Sequence, residues 1–452
     1  MLFTTLPFLV FFAAFFLLYW FIFAGGPAGG VRRQNVLLLV GSYCFYCWWD
    51  WRFVFLLAGN SLAVYFLGGW LHRTAREGHK SLLVGAGLSL TLGSLLYFKY
   101  FHSLLPLGLS FYTFRMISYL VDIRKAKTQP ARDLVVCCLY IAFFPCLLAG
   151  PIDRPAWLIP QLESKRAFRY EAGADGMRQI LWGLFKKIVI ADNCAAFSAD
   201  IFAHYATLPA SALVYGALMA TIWVYADFSG YSDMAIGFSR LLGFEVTPNF
   251  NYPFFATNIA GFWRRWHITL TSWMTDYVFT PLNILLRDLG KTGLALAILL
   301  NFTLIGLWHG PSWTYVGFGF LNGCYFLPMV FRGRAKKTGG AAARIATFLL
   351  VAFSMVLFRS ASLSQALGYY RRIFSGSLFS RFFIFEKVNT VATLACIVAM
   401  FIAEWTQRDK RHALQIDGIR AFPVRALIYF GLMGIILTFA ATKNADFIYF
   451  RF

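Results

Sequence analysis

Two histidines stand where an ionisable side chain is expensive. His267 lies in Phe262-Trp263-Arg264-Arg265-Trp266-His267-Ile268, and His309 in Leu307-Trp308-His309-Gly310-Pro311, both in long apolar surroundings. A titratable group in such a setting is by default a functional-site candidate. Imidazole takes and returns a proton near neutral pH, so it suits acyl transfer to a hydroxyl. The competing reading is a core histidine that merely satisfies a hydrogen bond. Two of them, each beside a tryptophan, one next to an arginine pair and one at a helix break, favour chemistry.

The elements that carry them differ. On a helix turning about 100° per residue, Trp263, Trp266, Leu270, Trp273, Met274 and Tyr277 share one arc. Arg264, Arg265, Thr269, Thr271, Ser272, Thr275 and Asp276 fall opposite. Residues 263–277 therefore read as one amphipathic helix at a membrane interface, with His267 at the edge of its aromatic arc. An anchoring helix accounts for the arginines but gives His267 no task. His309 ends the apolar run 292–309, and Gly310-Pro311 follows. Glycine just past one helix and proline in the first turn of the next predict a break at membrane depth. Irregular backbone there is tolerated only inside protein or along a cavity.

Further polar groups interrupt apolar context. Asp227-Phe228-Ser229-Gly230-Tyr231-Ser232-Asp233 places two acids after a helix expected to end at Ala226. Capping, or ion pairing with Arg264, Arg265 or Arg240, is the plain role for Asp227 and Asp233. Gly150-Pro151-Ile152-Asp153-Arg154-Pro155 follows another helix, and Arg115 stands alone in Phe111-Tyr112-Thr113-Phe114-Arg115.

Composition sets the class. Of 452 residues, 59% are hydrophobic and only 13% charged, against roughly 25% charged in soluble domains. Apolar stretches recur at about 4–24, 35–50, 53–71, 81–99, 103–122, 133–150, 208–226, 292–309, 312–331, 343–358, 390–406 and 425–442. Segments 176–192, 228–244 and 259–287 are mixed and read as re-entrant or interfacial. The expectation is an all-α polytopic membrane protein of about 10–12 crossings, a single membrane domain over 1–452. The first stretch lacks a basic n-region and a small-residue cleavage site, so it reads as a retained helix.

The net charge of +21 does not imply nucleic acid. Arg32 and Arg33 follow the first apolar stretch, His72, Arg73, Arg76 and Lys80 the third, and Arg124, Lys125, Lys127 and Arg132 the fifth. Each group is two crossings from the last, so all share a side. The positive-inside bias makes that side cytoplasmic and the N-terminus extracytoplasmic. The basic loops Arg332 to Lys337 and Arg408 to Arg425 are expected there too, and membrane lipids are the natural partners of such charge. The eight cysteines, Cys44 and Cys47 among them, lie in or beside apolar segments and read as packing. No metal-ligand cluster, phosphate loop or short repeat is visible.

The Asp227-to-Asp233 run with Met234-Ala235-Ile236-Gly237, the Phe262-to-Ile268 run and Leu307-Trp308-His309-Gly310 together resemble the membrane-bound O-acyltransferase family. Within it the chain is most similar to the bacterial polysaccharide O-acetyltransferase branch, of which the alginate enzymes are typical. Leu105-Pro106-Leu107-Gly108-Leu109-Ser110-Phe111-Tyr112-Thr113-Phe114 and Gly183-Leu184-Phe185-Lys186-Lys187-Ile188-Val189-Ile190-Ala191-Asp192 extend the likeness over about residues 35–330, leaving 331–452 matched only in hydropathy. The resemblance implies a ring of helices around a central tunnel in a bacterial inner membrane. It implies His309 as catalytic histidine and His267 as its second functional histidine. Acetyl-CoA would be the donor, with no tightly bound cofactor and no metal. Arg264, Arg265, Lys186 and Lys187 are placed to meet its phosphates, and Trp308, Asp227, Ser229, Asp233 and Trp266 to line or support the tunnel. The acceptor would be an extracytoplasmic glycan or a separate extracytoplasmic acetyltransferase. Two departures bear on substrate. Val278-Phe279-Thr280-Pro281-Leu282-Asn283 lacks a glycine pair common after Pro-Leu, and Thr247-Pro248-Asn249-Phe250 and the Gly150 loop also resemble the teichoic acid D-alanyl branch. Peptidoglycan O-acetylation is a further alternative. A transporter would predict related halves, and neither histidine motif has a second copy.

Overall fold

The computed structural model describes residues 1–23, 30–102, 104–333, 339–380 and 387–440, so most of the 332–337 basic loop lies outside the described residues. Those residues form helices joined by turns, with no strand among them. Among the described residues, seven helices are long and apolar enough to cross a membrane: Arg52–Arg73, Glu77–Phe101, Ala210–Leu241, Arg287–His309, Trp313–Arg332, Ala341–Arg359 and Phe422–Ala440. Leu6–Ile22 and Thr390–Thr406 are shorter apolar helices.

Five of the twelve expected stretches fall outside those seven helices: these two shorter ones, and three others for local reasons. Gly30–Cys47 begins with Arg32, Arg33, Gln34 and Asn35, of which the last two are buried in protein. Leu109–Arg124 has 16 residues and carries Arg115, Asp122 and Arg124. The 133–150 stretch stops as a helix at Ala142, because Phe143 (ψ 105°) leaves helical geometry ahead of Pro145. Segment 176–192 widens into π turns over Phe185–Ala191, a local under-winding often found at functional sites.

The chain separates into two compact units, Met1–Ile180 with Tyr231–Pro248, and Leu181–Gly230 with Asn249–Phe452. In the first, aromatic packing dominates: Phe3 stacks on Tyr231 at 4.7 Å, and Phe12 lies 4.6 Å from Phe238. Arg115 is fully buried and acts as a clamp. It donates to the carbonyls of Tyr140 (3.2 Å) and Pro151 (2.8 Å), fixing the Gly150 loop, whose Asp153 accepts from the Thr247 amide at 3.1 Å. Exposed Trp48, Trp49 and Trp51 mark one end of two successive helices whose opposite ends carry Arg32, Arg33, His72 and Arg73. An aromatic end and a basic end are what a bilayer boundary selects. Cys44 and Cys47 are exposed on their helix rather than packed.

In the second unit, Gly290–His309 and Trp313–Cys324 form a tight helical hairpin. Gly306 and Gly319 let it close: a methyl on Gly319 would strike the Phe302 carbonyl, and one on Gly306 that of Tyr315. Small residues at such crossings replace the hydrophobic drive that lipid cannot supply. Phe422–Ala440, by contrast, has 6% of its apolar window buried, so its side chains are left for lipid.

Gly319→Leu should force the hairpin apart. Overpacking of this kind costs about 1–3 kcal/mol, and the expected readout is a lowered thermal midpoint in detergent. An unchanged midpoint would show that the contact is not tight.

Candidate functional site

His309 is the last residue of the Gly290–His309 helix. Gly310 then runs fully extended (φ 175°, ψ 172°), and Ser312 caps the next helix by accepting from the Thr314 amide. The expected break is present, although Pro311 precedes that cap instead of occupying the helix's first turn. A cap at Ser312 pushes the proline one step out. The His309 ring is held by Phe358 at 5.0 Å, Phe318 at 6.2 Å and Tyr315 at 6.4 Å.

His267 is placed by a different device. The single helix expected over 263–277 is broken into Ile259–Trp263, Ile268–Met274 and a π turn from Thr275. His267 sits in the break with left-handed backbone (φ 44°, ψ 54°). That conformation costs a residue with a side chain about 1–2 kcal/mol, and persists only when its surroundings over-determine it. Here they do. The Ile268 amide donates to the Asn249 carbonyl at 2.8 Å, the Asn251 amide donates to the Arg265 carbonyl at 3.0 Å, and Thr269 Oγ1 donates to Asn249 Oδ1 at 2.6 Å. The aromatic arc expected of this region is nonetheless the buried one, through Trp263, Trp266, Leu270, Trp273 and Met274. Thr269, assigned to the polar side, is buried because Asn249 receives it.

The two histidines meet on one tryptophan. The Trp308 ring lies 6.1 Å from His267 and 4.7 Å from His309, and both imidazoles are buried. Phe228 packs edge-on against His267 at 4.5 Å. His267 lies outside the seven spans. Burial, reinforced by the nearby His309, pushes its pKa well below the ordinary histidine range, so the ring is neutral at physiological pH.

A model of the membrane-bound O-acyltransferase family matches residues 132–358, which contain both histidines. The chain is 35% identical over 374 residues to the Probable alginate O-acetylase AlgI of Pseudomonas aeruginosa, covering 76% of this chain and 71% of that protein. To the protein of the same name in Pseudomonas putida it is 32% identical over 474 residues, covering 94% and 95%. The chain belongs to the membrane-bound O-acyltransferase family. It is a multi-pass membrane acyltransferase. The Peptidoglycan O-acetyltransferase of Helicobacter pylori is also similar, at 31% over 385 residues covering 73% and 72%.

Beside the histidines, this acyltransferase carries a buried polar network. Ala210–Leu241 runs 32 residues without stopping at Ala226, so Asp227 and Ser229 lie inside a helix. They can do so because Lys186 and Lys187 meet them. Lys187 Nζ lies 2.7 Å from Asp227 Oδ1 and 2.8 Å from Asp192 Oδ1, and Lys186 Nζ donates to Ser229 Oγ at 2.9 Å. Lys186 also lies 5.6 Å over the Tyr225 ring, whose hydroxyl donates to Glu404 Oε1 at 2.8 Å. Both lysines are buried, which is a different situation from an exposed phosphate-binding surface. Asp227 thus takes a lysine, not an expected arginine. Asp233 belongs to the other unit, where it accepts from Gln179 at 2.7 Å. Trp266 packs between Phe250 (5.2 Å) and Phe262 (5.3 Å). Arg264 is exposed and Arg265 half-buried, and among the described residues neither guanidinium has a protein partner. Nor do three or more His, Cys, Asp or Glu side chains converge there in a way that could hold a metal.

Three contributors carry little sequence signal. Glu404 is the lone acid in the 390–406 run and could have been noticed on that ground. Asn249 and Phe358 gain their roles only through contacts distant in sequence.

Lys187→Met would take a counter-charge away from two buried carboxylates. Breaking a buried pair from one side costs about 3–5 kcal/mol, so the thermal midpoint of the purified protein should fall sharply, with or without donor. A midpoint equal to wild type would show the triad to be dispensable for folding.

Proposed function

We propose that this protein moves an acetyl group from acetyl-CoA on the cytoplasmic side of the bacterial inner membrane to an extracytoplasmic acceptor hydroxyl, for O-acetylation of an exopolysaccharide. The observation that carries the reading is the convergence of His267 and His309 on Trp308. The acceptor is a glycan or a separate extracytoplasmic protein that relays the acetyl group.

His309 takes the proton of the acceptor hydroxyl as its oxygen attacks the thioester carbonyl. The carbon–sulfur bond then breaks, and the imidazolium returns the proton to the departing thiolate. Neutral His267 orients the acceptor or offers a hydrogen bond to the oxygen on which charge develops. The aromatic enclosure of Phe228, Trp308, Phe318 and Phe358 excludes the water that would otherwise hydrolyse the thioester. Arg264 and Arg265, which lack protein partners among the described residues, meet the donor phosphates.

His309→Ala should cut acetyl transfer from labelled acetyl-CoA by about 10²–10⁴, with membrane insertion and thermal midpoint near wild type. Retained turnover in the folded variant would remove the base assignment. The arginines give a separate test. Arg264→Ala and Arg265→Ala should raise the KM for acetyl-CoA more than that for the acceptor, because binding alone is weakened. An amphipathic anchor would instead lose expression while leaving the donor KM of the surviving protein unchanged.

A further inference from the structure

The first unit holds a cavity of about 320 Å³ whose lining includes Lys165, Arg166, Arg169 and Arg240 against a single carboxylate, Glu245. Arg240 is compensated: Nη1 lies 2.7 Å from Asp175 Oδ2, and Nε 3.6 Å from Glu245 Oε2. Arg166 is not. It is 8% exposed, and its N–H groups go to neutral acceptors: Asn35 Oδ1 at 2.8 Å, Gln34 Oε1 at 3.4 Å, and the carbonyls of Val31, Gln161 and Leu162. These bonds satisfy its geometry and leave its charge standing in the cavity wall. At the rim, Lys165 and Arg169 are exposed, and among the described residues neither side chain has a protein partner. A buried cation without a counter-charge is costly, and an anion in the cavity would offset that cost.

The surroundings say what kind of anion. Val31 and Asn35 sit at the start of the helix that carries Arg32 and Arg33, and Glu163, beside the cavity, pairs with Arg132 at 3.2 Å. The cavity therefore lies at the basic end of its unit. Trp157, Phe168 and Tyr170 are exposed around it, and such rings settle at headgroup level. We propose that this cavity is a phosphate site occupied by the headgroup of an anionic phospholipid. Lys165 and Arg169 bind the phosphate, and Arg166, whose bonds go only to neutral acceptors, supplies positive field from the cavity wall. Basic pockets between helices at this level suit phosphodiester headgroups. The site is independent of the acetyl-transfer reading, since none of its residues belongs to that machinery.

The test titrates the full-length protein, in neutral detergent, with phosphatidylglycerol bearing an acyl-chain fluorophore. Phosphatidylcholine is the zwitterionic control and coenzyme A the soluble competitor. Phosphatidylglycerol should saturate one site and phosphatidylcholine should not. Lys165→Ala with Arg169→Ala should weaken binding about thirtyfold, taking about 1 kcal/mol per cation, while Lys165→Arg should retain it. Both side chains are exposed, so the thermal midpoint should stay near wild type. Equal phosphatidylglycerol affinity in wild type and double variant would overturn the site. Displacement by coenzyme A that itself depends on Lys165 and Arg169 would overturn the lipid assignment and give the phosphate to a soluble ligand. Failure of His309→Ala to lose acetyl transfer would touch neither outcome.

Discussion

Lys187 stands between Asp192 and Asp227, and the polar centre of the second unit depends on that ammonium. Where a helix crosses an apolar medium there is no water to satisfy its polar groups, so each must find a partner in protein. With Lys187 in place, Asp227 can sit in mid-helix without ending it. The helix then continues and presents Phe228 to His267. Ser229 is received by Lys186, and Tyr225 by Glu404, on the same principle. The links are ion pairs, hydrogen bonds and one cation–ring contact, and a buried polar network whose members are partnered in this way stabilises one arrangement.

The same necessity explains which features could be read from residues alone. The break at His309 was legible because glycine and proline act locally. The aromatic arc from Trp263 to Met274 was legible because burial follows periodicity. The end of the 208–226 helix was misread because two acids look like a stop until their partners, Lys187 for Asp227 and Gln179 for Asp233, are brought alongside from about 40 and 54 positions earlier. The turn at His267 was invisible for a related reason: it is imposed by Asn249 and Asn251, and the intervening sequence has the pattern of an ordinary amphipathic helix. Apolar runs such as 133–150 are buried by protein, so hydropathy alone does not separate them from the seven long apolar helices.

The two histidines are held by opposite means. His309 ends a helix whose partner is pressed against it through Gly306 and Gly319, so helix packing sets the position of its ring. His267 rests on three hydrogen bonds from a neighbouring stretch of irregular chain. Trp308 sits against both rings, one residue before His309, and couples the two supports. Such double fixing is what a reaction that depends on orientation requires.

The left-handed backbone at His267 narrows the evolutionary routes open to that position. Glycine and asparagine adopt the conformation at small cost, whereas β-branched residues do so poorly. A lineage that abandoned the imidazole would therefore pass through glycine or asparagine before any bulky apolar side chain became tolerable. The usual drift of a buried membrane residue toward leucine, isoleucine or valine is closed here by main-chain geometry. A change of side chain at 267 and a repair of the turn around Asn249 would have to arise together.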